Sequence, residues 1–263
     1  MKNVAVFLSF ALLPAAFAET PKPKPVDEQT LVSPFPSTVK ELGIPNSHEV
    51  SRSGKGFVIR GMRPRTVKDI EQLKKLGVTD VLIFRDSPGG KDIVTPERKL
   101  LKEGGMGDAK VSAIPFKWKE FKNFEEPCRQ TVQALKLLHE AETAGRGMFF
   151  HCTVGEDRTG YLAALYRVIY QGADPRDTFE KEMCANGYAD GNPQKPGHVA
   201  DAVHAGVTPL FQKMIYKIQK GYFKAASLSE KECAIDPEEM RAFKPEYAFG
   251  KCNPSPNYNA SIK

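Results

Sequence analysis

The stretch His151-Cys152-Thr153-Val154-Gly155-Glu156-Asp157-Arg158-Thr159-Gly160 decides how the chain is read. Ahead of it, Gly147-Met148-Phe149-Phe150 is short and apolar, as a buried strand is. Behind it, Tyr161-Leu162-Ala163-Ala164-Leu165-Tyr166-Arg167-Val168-Ile169-Tyr170 has the length and apolarity of a buried helix. A strand, a tight loop and a helix start make an anion site, because the loop amides converge there and the helix N-terminus adds partial positive charge. A cysteine opens this loop and an arginine closes it, with five residues between. Arg158 can grip two oxygens of a phosphate with its planar fork. The same field favours a thiolate at Cys152, and the thiolate is the reactive form.

Working outward, Phe57-Val58-Ile59 reads as a first core strand and Gly61-Met62-Arg63-Pro64 as a turn. Thr66 can cap a helix from Val67 to Leu76, whose apolar residues Val67, Ile70, Leu73 and Leu76 share one face and whose end is marked by Gly77. Val78 to Phe84 is a strand rich in β-branched residues, with Arg85-Asp86-Ser87-Pro88-Gly89-Gly90 as its exit loop. A short helix runs from Thr95-Pro96 to about Lys102. A strand follows over Val111 to Phe116, then a long amphipathic helix from Glu125 to Ala144. Beyond the phosphate loop, helices are expected from Asp174-Pro175 to about Asn186, from Gly197 to Lys220, and from Glu230 to about Phe243. Strands alternating with helices give an α/β fold, a mostly parallel central sheet flanked by helices on both faces. Such sheets bind ligands at the carboxyl ends of their strands, where Cys152 falls.

At these residues the chain resembles a known family. His-Cys-x5-Arg-Thr-Gly is similar to the signature of the protein-tyrosine-phosphatase superfamily, and Asp157 directly before Arg158 resembles a bacterial and lipid-phosphatase branch of it. The run Phe57-x-Ile59-Arg60-Gly61-x-Arg63-Pro64 resembles the opening segment of small dual-specificity-like phosphatases, and the resemblance extends to about Tyr188. It implies covalent catalysis in two steps. Cys152 attacks phosphorus, and water then hydrolyses the thiophosphate. The backbone amides of Thr153, Val154, Gly155, Glu156, Asp157 and Arg158, with the Arg158 guanidinium, would hold the equatorial oxygens. Thr159 would hydrogen-bond the thiolate, and His151 would buttress the loop. No metal or other cofactor is expected, since no His/Cys cluster has ligand spacing.

The leaving alkoxide needs a proton, and the family's usual source is an Asp on a loop after the strand that precedes the phosphate loop. No Asp lies between Asp108 and Asp157. The candidates are Glu120, in the loop where the acid belongs and with one more methylene of reach, and Asp157 within the phosphate loop. Glu156 stands where several relatives carry Lys, and as an anion it should disfavour charged ligands at that corner. Arg60, Arg63, Arg65, Arg85, Lys117, Lys119 and Lys122 flank the strand exits and the acid loop, where they would form a basic rim.

The length of 263 residues fits one catalytic domain with extensions, and a net charge of +6 with mixed signs fits a small anionic partner better than nucleic acid. Residues 1–18 read as an export signal: Lys2, the apolar run Val4 to Leu13, and the small-x-small site Ala16-Phe17-Ala18. That run is too short to span a bilayer. Residues 19–50 are Pro-rich and extended, 51–225 form the catalytic domain, and 226–263 form a C-terminal extension. Export permits disulfides, and of five cysteines one must stay free, which the motif assigns to Cys152. The remaining four allow three pairings. A local Cys233–Cys252 bond with Cys128–Cys184 is one of them, and four reduced core thiols are the alternative.

The expectation is therefore an exported, cysteine-dependent phosphomonoesterase. Exported bacterial members of the superfamily include phytase-like enzymes, so inositol polyphosphates are the favoured substrates. A tyrosine or phosphoinositide phosphatase is the alternative, and a catalytically weak phosphate-binding module the second. The sequence sets no oligomeric state.

Overall fold

The computed structural model describes residues 42–119, 121–243, 249 and 252, all within one compact unit, 34–263. The export signal, the Pro-rich segment up to residue 41, and Glu120 lie outside the described residues.

Five strands form one sheet in the order β1-β2-β5-β3-β4, with β1 (His48–Ser53), β2 (Gly56–Gly61), β3 (Val78–Phe84), β4 (Lys110–Ile114) and β5 (Gly147–His151). Only β1 runs antiparallel, joined to β2 by a hairpin. Central β5 is buried along its whole length, and its residues alternate between two cores. Met148 and Phe150, with Val58, Leu82 and Phe84, face the larger core, where α3 (Glu125–Thr143), α4 (Asp157–Gln171) and α7 (Val207–Gln219) pack. Phe149, with Phe57, Ile59 and Val81, faces the smaller one against α1 (Val67–Lys75) and α2 (Val94–Glu103). The α/β sheet with helices on both faces is thus as the alternation of elements implies. Thr66 caps α1 in a full capping box with Asp69.

Several boundaries differ for physical reasons. β1 was not anticipated: only Glu49 and Val50 of it are buried, so it carries no apolar period, and Leu42 and Ile44 before it already join the core. The expected helix over 197–220 is two helices, α6 (Gly197–Ala205) and α7. They part at Gly206, where a Cβ would sit 2.9 Å from the Trp118 carbonyl oxygen. The expected helix over 174–186 keeps its shape only through α5 (Pro175–Thr178), capped by Asp174, then widens into a π turn at Phe179–Met183 and a tight turn at Cys184–Asn186. The widened turn lets the Glu182 carbonyl leave the helical ladder and accept from Arg60 at 2.5 Å. In place of the expected helix from 230 to 243 there are two single turns, Glu230–Ala234 and Pro237–Glu239.

The cysteines pair as Cys128–Cys233 and Cys184–Cys252, with Cys152 free and buried. Neither bond of the anticipated pairing forms. Cys128 faces inward from the first turns of α3, onto which the Glu230–Ala234 turn packs. Nearness along the chain was the wrong guide, since the fold brings Cys128 and Cys233 together across a sequence separation of 105. Among the described residues no helix is long and apolar enough to cross a membrane, and no group of acidic, His and Cys side chains is arranged to hold a metal ion.

Candidate active site

The parallel register sets β2, β5 and β3 side by side with their carboxyl ends level. Gly61 and Ile83 both pair with His151. The loops that leave β2 and β3 therefore flank the loop that leaves β5. Gly155 has φ +77, and a Cβ there would lie 2.5 Å from the Gly61 carbonyl and the Met62 nitrogen, so only glycine lets the loop press against the end of β2.

Three successive carbonyls of this loop are held from outside. Thr153 O accepts from Arg63 N (3.3 Å), Val154 O from Asn46 Nδ2 (2.8 Å), and Gly155 O from Arg60 Nη2 (2.7 Å). In a trans peptide the N–H points opposite to the C=O. Each outward carbonyl thus turns the next residue's amide, of Val154, Gly155 and Glu156, toward the loop's interior. Asn46 reaches its carbonyl from a left-handed conformation, φ 58, which Asn tolerates better than most residues. Arg60 in turn is fully buried and bonded to Glu182, which also binds His48 (2.7 Å) and Arg167 (2.5 Å). Arg60 is therefore a scaffold of the loop, and the sequence-based expectation that it belongs to the basic rim does not hold.

The Cys152 thiol lies at the floor. Burial alone would push its pKa up. The Arg158 guanidinium, the Thr159 hydroxyl and the Gly155 amide more than offset that, with Asp157 opposing, and the thiol sits below its ordinary value. The Thr159 hydroxyl accepts from Cys152 N at 2.9 Å, which leaves its own proton available to the sulfur. His151 Nδ1–H donates to the Cys152 carbonyl, and Nε2 shares a proton with Glu97 Oε1, both at 2.7 Å. His151 thus ties the loop to Glu97, a buried partner on α2 that sequence spacing does not reveal.

Arg158 is 7% exposed. Its Nη1 donates to Asp86 Oδ1 (2.7 Å) and the Phe116 carbonyl (3.2 Å), and its Nη2 to the Thr153 hydroxyl (3.3 Å). Asp86 escaped the sequence reading. The only signal was its place two residues beyond the end of β3, where a parallel sheet collects functional groups. Glu156 does not charge the rim: it is 4% exposed and ion-paired with Lys195. Burial raises its pKa against the pull of Lys195. The expected repulsion of ligands by Glu156 is thereby cancelled. Asp157 Oδ1 accepts from Ala189 N at 2.8 Å, and burial raises its pKa despite Lys195, that amide and Arg158. Lys117, Lys119 and Lys122 are all exposed on the loop after Phe116, and Lys119 lies over the Trp118 ring at 5.7 Å.

Residues 41–177, just over half of the chain, match the model of the tyrosine phosphatase family. The chain belongs to that family. Over 61 residues it is 38% identical to the dual specificity protein phosphatase TpbA from two strains of Pseudomonas aeruginosa, a match covering 23% of this chain and 27% of TpbA. The chain thus aligns with about a quarter of the length of the curated relatives it matches. Among solved structures it is similar to P. aeruginosa TpbA, at 25% identity and TM-score 0.43 over 65% of this chain and 91% of that one. It is also similar to the catalytic core of the yeast (S. cerevisiae) PP-IP phosphatase SIW14, at 15% identity and TM-score 0.42 over 68% and 94%.

Proposed function

We propose that this member of the family is an exported phosphomonoesterase that works through a phosphocysteine and acts on inositol polyphosphates. The observation that carries the chemistry is the set of three loop carbonyls turned outward above a buried, acidified thiol. In the first step the Cys152 sulfur forms a bond to phosphorus and the ester P–O bond breaks. The leaving alkoxide takes a proton from a carboxylic acid, Glu120 or Asp157. In the second step water attacks the thiophosphate and gives its proton to that carboxylate, and the S–P bond breaks to restore the thiolate. The inward amides and the Arg158 fork carry the charge on the equatorial oxygens in both steps. His151 and Thr159 support the loop and the sulfur.

The substrate class is supported by the cations at the strand exits and on the loop after Phe116. A polyanion gains from every cation it meets, and that gain weakens with salt. Export is supported by the N-terminal pattern and by two disulfides, which persist in oxidising compartments. The local likeness to TpbA, a dual specificity protein phosphatase, favours a phosphotyrosine substrate as the second reading. The deciding experiment compares kcat/KM for inositol hexakisphosphate and a phosphotyrosine peptide, alongside a generic aryl phosphate. Neutralising Lys117, Lys119 and Lys122 together should raise KM more for the inositol ester than for the aryl ester. Faster turnover of the peptide selects the second reading, and no turnover of any ester leaves only a phosphate-binding module.

A further inference from the structure

Beside the phosphate loop lies a cavity of about 630 Å³, within the range usual for small-ligand sites. Its walls are the turn after β2, the loop after β3 and the first turns of α2. Four cations line it: Arg63, Arg65, Arg85 and Lys91. No side chain of these four makes a hydrogen bond or ion pair with the described residues, and the Arg85 Nε is buried without a partner. Two carboxylates share the lining, and each has an oxygen bonded within the protein. Asp92 accepts from the Val94 and Thr95 amides at the start of α2, and Glu97 holds His151 through Oε1, while its buried Oε2 has no partner among the described residues and attracts the Arg85 guanidinium.

The walls of the cavity are tied to the reacting centre through the backbone. Arg63 N donates to the Thr153 carbonyl, and Arg85 directly precedes Asp86, the partner of Arg158. We infer that this cavity is a second phosphoryl subsite, which takes a non-reacting phosphate of the substrate while another phosphate of the same molecule sits on the Cys152 loop. This rests on the polyphosphate reading above and sharpens it, because the substrate must carry at least two phosphoryl groups. Burial and the neighbouring Arg63 hold the Arg85 guanidinium below its ordinary value, a tension that an incoming dianion relieves. Arginine forks favour the tetrahedral oxygens of a phosphoryl group, which can take bidentate bonds from more than one fork.

The test uses inhibition of aryl phosphate hydrolysis, so it does not depend on whether the inositol ester is turned over. Competitive inhibition constants are measured for inorganic phosphate and for inositol hexakisphosphate, with wild type and with Arg65→Ala/Lys91→Ala, two exposed positions whose removal leaves the core intact. The subsite requires inositol hexakisphosphate to lose about tenfold in affinity relative to inorganic phosphate, in line with two partly exposed charge-assisted contacts. Arg85→Lys, which keeps the charge but not the fork, should reproduce part of that loss. Equal losses for the two inhibitors would overturn the inference, as would wild-type inhibition by inositol hexakisphosphate no tighter than by phosphate. An acidic phosphotyrosine peptide that loses as much as inositol hexakisphosphate would also overturn it, because the cavity would then be reading carboxylates. If inositol hexakisphosphate inhibits tightly and selectively but is not hydrolysed, the subsite stands and the substrate assignment falls.

Discussion

Replacing Asp86 separates the orientation of Arg158 from its charge. At rest Nη1 of Arg158 is anchored behind the loop by Asp86 at 2.7 Å and the Phe116 carbonyl at 3.2 Å, which aims the rest of the fork at the loop. Asp86→Ala removes one hydrogen bond between charged groups, worth about 1.5–3 kcal/mol. The Asp86 side chain is 26% exposed, so screening places the loss near the lower end, about 1.5 kcal/mol. A second effect opposes it, since Asp86 also repels a bound phosphate dianion. That repulsion acts on substrate and transition state alike and so appears in KM. Orientation of the fork matters most when charge develops on the equatorial oxygens and so appears in kcat. Asp86→Ala should therefore lower kcat about tenfold while KM stays level or falls. Asp86→Asn keeps a carbonyl acceptor for Nη1 and should lose only about threefold. Steady-state hydrolysis of an aryl phosphate gives both constants, and the thermal midpoint checks that the fold is intact. A kcat within about twofold of wild type in a folded Asp86→Ala enzyme would refute the argument, because the Phe116 carbonyl and the loop would then suffice to aim Arg158.

Four further outcomes are expected. Cys152→Ser should abolish turnover while still binding phosphate, and Arg158→Lys should fail because a point charge cannot reproduce the fork; substantial activity in the first variant excludes the cysteine mechanism. Thr159→Val removes a hydroxyl that lowers the thiol pKa, so the pH midpoint of iodoacetamide alkylation should move upward, toward the ordinary thiol value of about 8.5; a fixed midpoint removes Thr159 from the thiolate's environment. Glu182 is pulled below the usual carboxylate range: burial pushes it up, but His48, Arg167 and Arg60 more than offset that. Its contribution is whole above about pH 4.3 and drains as pH falls below, so Glu182→Gln should cost about 3–5 kcal/mol in urea unfolding at pH 7 and flatten the acid loss of stability; equal acid sensitivity in the two proteins would contradict this. Asp157→Asn retains the acceptor for Ala189 N but not the proton, so if Asp157 is the acid the variant should slow an alkyl ester about 10²–10⁴-fold and an aryl ester far less, with Glu120→Gln as the matching test of the other candidate.

What was legible in the sequence follows the range of the physics involved. The phosphate loop, β3, α1 and α3 are set by local pattern: apolar period, a capping Thr66 and a Cys-to-Arg spacing that only a tight loop satisfies. β1 was hidden because a half-exposed edge strand needs almost no apolar residues. The break at Gly206 and the π turn at Phe179–Met183 answer to tertiary contacts, with the Trp118 carbonyl and with Arg60, and no local signal encodes these. The same holds at the site. Cys152, Arg158, Thr159 and His151 lie within one short stretch of chain, whereas Asp86, Glu97, Asn46 and Lys195 reach that stretch from four other segments. Arg60 and Glu156 were misjudged for one reason: a charge looks exposed until its buried partner is known, and Glu182 and Lys195 are those partners.

The rear wall of the loop explains why so remote a part of the chain bears on the thiol. Glu182 accepts from Arg60, which holds the Gly155 carbonyl. The Ala189 amide holds Asp157, and the packing of Glu156 against Gly187 leaves no room for a Cβ there. The stretch from Glu182 to Asp190 is thus moulded to three loop residues. It is pinned from behind by the tail, through the Cys184–Cys252 disulfide, a bond from Cys252 N to the Asp190 carbonyl (3.1 Å), and Phe249 stacked on Phe179 at 4.8 Å. The pairing has a second consequence. A low-pKa thiolate is open to sulfenic acid formation and to disulfide capture by any neighbouring thiol. With the other four cysteines locked in two bonds, Cys152 has no intrachain thiol to condense with unless one of those bonds is first reduced. The same disulfides that brace the loop therefore keep its nucleophile from being consumed by its own chain.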